Sequence, residues 1–371
     1  MKRVLVTGGS QIGKAGVASI VYKWGTSFSD KVVYDYLMQR GLPDQIYIDS
    51  IEQAGSKIYT MNDSSPSMIC SINWVRDIVK EFGYETIHIN TDSAYVAAAY
   101  IYASKKGGIK NIYVHSHCTR IDDNNAFIRL IKTTIHYLCR PYVKRNTKAF
   151  LSCSTPACRW MFGRSAVQSD KFVLIKNGVE VEKYLYSEDV RKQKRAELGI
   201  SDQYVIGSIG RFSYQKNHSM LIDIFKKYNA INPKTILLLV GEGELETTIK
   251  QKVKSFGLEN RVMFVGRRRD VNELLSAMDI LIMPSRFEGL PVTAVEAQMA
   301  SLPCILSDRI TKETKFTPNV RFASINDVNQ WIPMIEALRD ANRPYPDELL
   351  KESMFNIINA SRNLENELAQ D

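Results

Sequence analysis

The 371 residues contain no uncharged apolar run longer than Ala94–Ala103, ten residues in all. That is about half of the ~20 residues a membrane-spanning helix requires, so the chain is not expected to span a bilayer. The basic start Met1-Lys2-Arg3 is followed only by Val4–Val6 before Gly8-Gly9 interrupts, too short for the apolar core of a secretion signal. Six cysteines (70, 118, 139, 153, 158 and 304) form no Cys-x-x-Cys pair and no paired framework. This excludes a disulfide scaffold, argues against zinc, and suggests reduced, mostly buried thiols in a cytoplasmic protein. No segment is dominated by glycine, proline or serine, and no 20- to 50-residue repeat is present. Disordered, collagenous and solenoid readings therefore drop out.

What is present is a soluble-protein composition, 44% hydrophobic and 24% charged, long enough for two cores. The net charge of +9 is unevenly placed. Residues 1–180 hold 23 Lys+Arg against 14 Asp+Glu, residues 181–371 hold 26 of each, and residues 120–176 alone hold 11 against 3. A one-sided basic excess suits an anionic partner. No zinc-finger, RRM or helix-turn-helix signature accompanies it, so nucleic acid is not expected as that partner.

Apolar runs at 204–207, 236–240, 262–265, 280–283 and 304–306 alternate with helical patterns such as Ser219–Tyr228 and Asp270–Met278. Such alternation predicts a parallel sheet covered on both faces. The first half repeats it at 4–6, 87–89, 112–114 and 173–175, with helices over Ala15–Trp24 and Ile69–Phe82. The fold class is α/β, with two facing Rossmann-like domains and a central cleft. The domains are residues 1–178 and 179–346, split at the turn Asn177-Gly178. A helical tail, 347–371, is expected to cross back to the first domain.

Open parallel sheets bind ligands beyond their strands' carboxyl ends, so chemistry is sought there. Arg211 and Lys216 follow the strand at 204–207 and precede a helix. Two cations so placed suit a diphosphate, although a solvated basic loop would look the same. After the strand at 280–283, Glu288, Gly289, Leu290 and Pro291 lead into a helix bearing Glu296. Pro291 fits the first helical position, Gly289 permits close backbone approach, and acceptor-only carboxylates suit hydroxyls of a sugar or ribose.

Together, Arg211 and Lys216, Val240-Gly241-Glu242-Gly243, Val265-Gly266 and the Glu288/Glu296 pair resemble the nucleotide-sugar domain of retaining glycosyltransferases of family 4, which have the GT-B fold. Lys176-Asn177-Gly178-Val179, His115-Ser116-His117 and Leu151-Ser152-Cys153-Ser154 are similar to that family's other landmarks, and the pattern is similar to bacterial capsular and exopolysaccharide enzymes. The resemblance implies a catalytic set of His117, Glu288, Arg211 and Lys216. It implies a donor-binding set of Gly16, Arg211, Lys216, Gly241, Gly266, Glu288, Gly289, Leu290 and Glu296. In those roles Arg211 and Lys216 neutralise the donor diphosphate, Glu288 holds sugar hydroxyls, Glu296 grips the ribose, and the loop after Val265-Gly266 meets the base. The four charged residues are expected to converge on one crevice. The implied co-substrate is a nucleoside-diphosphate sugar, UDP foremost. The implied acceptor is a lipid-linked saccharide, and the basic bias of residues 120–176 adds the cytoplasmic face of an anionic membrane as an expected surface. No cofactor is implied. No two aspartates stand two positions apart, so the Asp-x-Asp metal motif of the other main glycosyltransferase fold is absent and metal-independent transfer is expected.

Three motifs stay open. Gly8–Ala15 matches a P-loop except that Ala15 stands where Ser or Thr should ligate magnesium; the resemblance assigns the segment through Gly16 to the donor phosphates and acceptor instead. His115 and His117 alternate on a strand end, which could ligate a metal but offers no third ligand. Phe127, Leu130, Ile131, Ile135 and Leu138 form one stripe, with Arg129, Lys132, His136 and Arg140 around it. That pattern predicts a core-facing helix with a basic outer side, or a basic side resting on anionic lipid. A nucleotide-sugar epimerase of the same fold and a non-transferase nucleotide-binding protein remain the competing readings.

Overall fold

The computed structural model describes residues 1–8, 12, 16–39, 41–61, 67–345 and 347–370. Contacts divide the chain into one unit of Met1–Ile121, Asn125–Val179 and Met354–Asp371 and a second of Asp122–Asn124 and Glu180–Ser353.

The first unit is built on seven parallel strands, β1 (Lys2–Val6), β2 (Val32–Met38), β3 (Ile58–Thr60), β4 (Thr86–Thr91), β5 (Asn111–Ser116), β6 (Phe150–Ser152) and β7 (Phe172–Leu174). Their order is β3-β2-β1-β4-β5-β6-β7. Leu5, Ile87, Ile89 and Val114 pack with Ile101 and Met161 into its core. Because helices cover both faces, strands such as β2 and β4 are buried at every position rather than at alternate ones.

The second unit has six parallel strands, β8 (Tyr204–Ile209), β9 (Thr235–Val240), β10 (Val262–Phe264), β11 (Ile280–Met283), β12 (Cys304–Ser307) and β13 (Val320–Ala323). Their order is β10-β9-β8-β11-β12-β13. Ile206, Leu237, Leu239, Ile280 and Ile282 lie against Phe225 and Trp331. In both sheets the order reverses beside the first strand, between β1 and β4 and between β8 and β11. Adjacent loops diverge at such points and leave room for a ligand.

The C-terminal segment belongs to the first unit. The Val179 amide donates to the Phe355 carbonyl at 2.8 Å, and the Ile357 amide donates back to Val179 at 3.0 Å. The helix Ile357–Ala369 then places Glu365, 3% exposed, at the entry to β2. There it accepts from the Ser29 hydroxyl and from the amides of Ser29, Lys31 and Val32. Residues 347–353 of the expected tail fall in the second unit instead.

The helix Ala126–Asn146 corrects the sequence reading. Its buried side chains are His136 and Val143, whereas Phe127, Leu130, Ile131, Ile135 and Leu138 are exposed. The apolar stripe faces out and the histidine side faces in. His136 is held there by three contacts. Nδ1 accepts the Ala94 amide at 2.9 Å, Nε2 donates to the Trp160 carbonyl at 3.0 Å, and the ring stacks on the Trp160 indole at 3.8 Å. Among the described residues no helix is long and apolar enough to cross a membrane. All six cysteines are free and four are buried.

Candidate active site

In the second unit the loops leaving β8, β9 and β10 are knitted together backbone to backbone. The Gly210 amide donates to Val240, Phe212 to Glu242, and Gly241 to Gly266, at 2.8–3.0 Å. Gly241 has φ +135°, and a Cβ there would lie 2.2 Å from the Gly210 carbonyl oxygen, so only glycine lets these two loops meet. The Val-Gly-Glu-Gly run thereby supports the loop that carries Arg211.

The same loop is tied to the end of β11. Asn217 occupies the left-handed region at φ 57°, a conformation asparagine tolerates better than most residues. Its side-chain amide donates to the Pro284 carbonyl at 3.1 Å, and the Arg286 amide donates to the Gln215 carbonyl at 2.8 Å. Two side-chain bonds complete the junction. The Lys216 ammonium meets Glu288 Oε1 at 2.7 Å, and the Gln215 side-chain amide donates to Glu288 Oε2 at 2.9 Å. Lys216 is mostly buried and Glu288 nearly fully so. A cation and a carboxylate are therefore fixed side by side at the β8/β11 switch point. The ammonium has three N–H donors, of which Glu288 takes one.

Arg211 is 60% exposed at the side chain and pairs with Asp122, whose other oxygen accepts the Gln215 amide at 3.1 Å. Arg211 and Lys216 are thus linked through Asp122, Gln215 and Glu288. Gly289, Leu290 and Pro291 connect Glu288 to the helix Val292–Met299, with Pro291 one position outside its start. That offset is within the usual uncertainty of helix ends. Glu296 lies at the start of the second turn, where its Oε1 accepts the Tyr184 hydroxyl at 2.6 Å. Lys216, Glu288 and Arg211 are brought into one cluster, and Glu296 bonds to a different partner within the same unit. Gly266, at φ +65°, begins the loop after β10.

In the first unit, Asn90 is the penultimate residue of β4 and His117 follows β5. Gly8, at φ +94°, passes so close that an added Cβ would sit 3.0 Å from the Asn90 Cβ. The Asn90 side-chain amide donates to the Thr7 carbonyl at 3.1 Å, which turns its Oδ1 toward His117 Nε2 at 2.9 Å. That network assigns the proton to Nε2 and leaves Nδ1 as an acceptor, with no partner among the described residues. Burial pushes the His117 imidazole down to about 3, so the ring is neutral.

Beside it, His115 stacks on His117 at 4.3 Å and on Trp24 at 5.0 Å. His115 Nδ1 lies 3.3 Å from His88 Nε2, and His88 Nδ1 lies 2.5 Å from the Tyr34 hydroxyl. His115 and His117 meet face to face, whereas His88 and His115 meet through their ring nitrogens. Among the described residues no group of three or more His, Cys, Asp or Glu is arranged to hold a metal ion. Gly16 opens the helix Gly16–Thr26. Gly9, Ser10, Gln11, Gly13, Lys14 and Ala15 of the glycine-rich segment lie outside the described residues.

Sequence reasoning missed Gln215, Asp122, Tyr184 and Asn90. Gln215 carried a signal, standing beside Lys216 at a strand exit. The others bond to residues 27 to 112 positions away and carried none.

Residues 190–320 match the family model described as Glycosyl transferases group 1. EpsF of Bacillus subtilis (strain 168), whose name assigns it to the glycosyltransferases, is 27% identical over 330 residues, 87% of this chain and 84% of its own. An Escherichia coli protein named as a UDP-Gal:alpha-D-GlcNAc-diphosphoundecaprenol alpha-1,3-galactosyltransferase is 32% identical over 142 residues, 37% of each chain. Among solved structures, Anabaena Alr3699/HepE in complex with UDP and glucose superposes with a TM-score of 0.77 at 17% identity and full coverage of both chains. The sucrose-phosphate synthase of Thermosynechococcus elongatus does so with a TM-score of 0.74 at 14% identity, over 99% of this chain and 95% of its own. Two parallel sheets of the kind these neighbours share, with a glycosyl transferases group 1 domain over residues 190–320, identify a chain of the GT-B fold that carries a glycosyltransferase domain.

Proposed function

We propose that this protein is a retaining, metal-independent glycosyltransferase of family 4. It transfers a hexose or N-acetylhexosamine from a nucleoside-diphosphate sugar, UDP foremost, to a polyprenyl-diphosphate-linked saccharide in capsular or exopolysaccharide assembly. It works in the cytoplasm at the inner face of the plasma membrane. The observation that carries this reading is the Lys216–Glu288–Gln215 cluster, 2.7 and 2.9 Å across its two bonds, at the β8/β11 switch point. The relative named for a diphosphoundecaprenol acceptor supports the lipid-linked substrate, and the neighbour solved with UDP and glucose supports the donor.

In this reading the second unit, from residue 179 to about 346, holds the donor. Lys216 keeps two N–H donors for the diphosphate, and Arg211 exchanges Asp122 for a phosphate oxygen. An exposed ion pair is worth only ~0.2–1 kcal/mol, so that exchange is easy. Glu288 accepts from sugar hydroxyls and Glu296 from the ribose. Gly289 and Leu290 line the phosphates with backbone amides, Gly241 and Gly16 allow close approach, and the loop after Gly266 meets the base. From the first unit His117 offers the Nδ1 acceptor to the sugar. The acceptor oxygen attacks C1 on the face the diphosphate leaves, the C1–O bond to the diphosphate breaks, and a departing phosphate oxygen takes the acceptor proton. The protein supplies position and positive charge where negative charge develops.

Lys216→Ala and Glu288→Gln test the site. Each is expected to lower kcat by about 10²- to 10³-fold, the usual effect of removing one such contact, with the fold retained by circular dichroism. Transfer rates near wild type in both variants would overturn the assignment. The epimerase alternative predicts that free UDP-sugar is altered with no acceptor present, which mass spectrometry reads directly.

A further inference from the structure

The outward stripe of the helix Ala126–Asn146 has no place in the donor site. Phe127, Ile131, Ile135, Leu138 and Tyr142 stand at i, i+4, i+8, i+11 and i+15, one face of a helix about 31 Å long. Phe127 is 70% exposed, Leu130 63% and Leu138 74%. A contiguous apolar face of this kind on a soluble unit marks an interaction surface. The inward side is fully committed through His136 to the Ala94 amide and the Trp160 carbonyl, so the helix is a rigid platform that cannot roll its stripe into the core.

The surrounding charge selects the occupant. The helix carries five basic residues, Arg129, Lys132, Arg140, Lys144 and Arg145, and no acidic one. The neighbouring helix Ala94–Gly107 ends in Lys105 and Lys106. Lys105 bonds Asn146 at 2.7 Å, which brings the two basic ends together. Lys106 lies 5.8 Å over the ring of Tyr102, itself half exposed. A second copy of this chain would oppose like charges across the face, which is unfavourable. An anionic lipid leaflet pairs with the basic rim and receives the apolar side chains at its headgroup boundary.

We propose that this helix lies flat on an anionic membrane, its Phe127–Tyr142 stripe inserted at the headgroup level and the Lys/Arg rim on lipid phosphates. The choice of lipid rests in part on the lipid-linked acceptor proposed above. The test is flotation of the full chain with vesicles of phosphatidylglycerol and phosphatidylethanolamine, compared with phosphatidylcholine vesicles, at low and high salt. Wild-type protein is expected to float with the anionic vesicles only. Ile131→Ser with Leu138→Ser is expected to weaken binding at least tenfold, and Lys106→Gln with Arg145→Gln to weaken it and flatten its salt dependence. Both pairs should retain the wild-type melting temperature and transfer to a water-soluble saccharide acceptor.

Equal flotation of the Ile131/Leu138 variant, equal binding to neutral vesicles, or a lipid-free dimer that this variant dissociates would each overturn the proposal. The last would assign the face to a second copy. Vesicle binding with no sugar transfer would instead strike the enzymatic reading and leave this one standing.

Discussion

At the scale of single residues, the candidate site is a set of charges already neutralised before any ligand arrives. Lys216 is balanced by Glu288 and Arg211 by Asp122. Asp122 holds Arg211 and the Gln215 amide together, so in the proposed reading its carboxylate competes with the donor diphosphate for the same groups. Asp122→Asn keeps an acceptor for the Gln215 amide and removes the competing charge. The expected outcome is tighter UDP-sugar binding by up to about fivefold, the equivalent of the ~1 kcal/mol an exposed pair is worth, with kcat little changed. Isothermal titration calorimetry checks it, and weaker binding in the variant would show that Asp122 is part of the donor site. The legible part of this cluster was Arg211, Lys216 and Glu288, because strand ends and charge type are visible in sequence. Asp122 was not legible, since its partners lie 89 and 93 positions on.

At the scale of elements, the readable strands were those whose apolar runs are unbroken. β8, β9 and β11 are of that kind. β2, Val-Val-Tyr-Asp-Tyr-Leu-Met, is not among the strands read from the sequence; Asp35 interrupts its apolar run, yet Asp35 is fully buried. Its carboxylate is satisfied by Arg3 at 2.9 Å, the Tyr84 hydroxyl at 2.6 Å and the Lys57 amide at 2.7 Å. A paired charge can occupy a buried strand, but its pairing is not written in the local pattern.

The helix Ala126–Asn146 failed differently. Its apolar periodicity is real but faces outward, and the side that faces in is the one bearing the bonded His136. The C-terminal helix gives the prediction at this scale. Burial alone would raise the Glu365 carboxyl, but hydrogen bonds from the Ser29 hydroxyl and from the Ser29, Lys31 and Val32 amides hold it below its ordinary value. Glu365→Gln turns an acceptor into a group half of which is a donor facing donors. It should cost about 1.5–3 kcal/mol, the range for hydrogen bonds to a charged group. Urea unfolding of the two proteins at pH 7 measures this. Because the folded carboxyl is depressed, the wild-type advantage is present above the unfolded value near 4.3 and fades as pH falls through the folded one.

At the scale of the whole molecule, the five histidines behave alike. All are buried, and burial holds His88, His117 and His218 at about 3 and His136 at about 4, with His115 well below its ordinary value. The unfolded chain takes up protons near pH 6.5 that the folded chain refuses. Stability is therefore full above about pH 7 and falls as pH drops below 6.5, by about 1.4 kcal/mol per pH unit for each histidine. Thermal melting from pH 8 to 4.5 should show a plateau and then a steep decline beginning near pH 6.5. His218→Gln should make that decline shallower, and an unchanged slope would mean that His218 titrates in the folded protein.

The C-terminal return of the chain governs the order in which the molecule can be completed. Everything from Glu180 to Ser353 is a single stretch that can close its sheet as soon as it has been synthesised, apart from the short Asp122–Asn124 contribution. The first unit, although translated earlier, lacks the carboxylate at the mouth of β2 until Glu365 has left the ribosome tunnel. The half that is read first is thus the half that matures last, and it must wait, with its sheet assembled and one entry uncapped, while its neighbour folds.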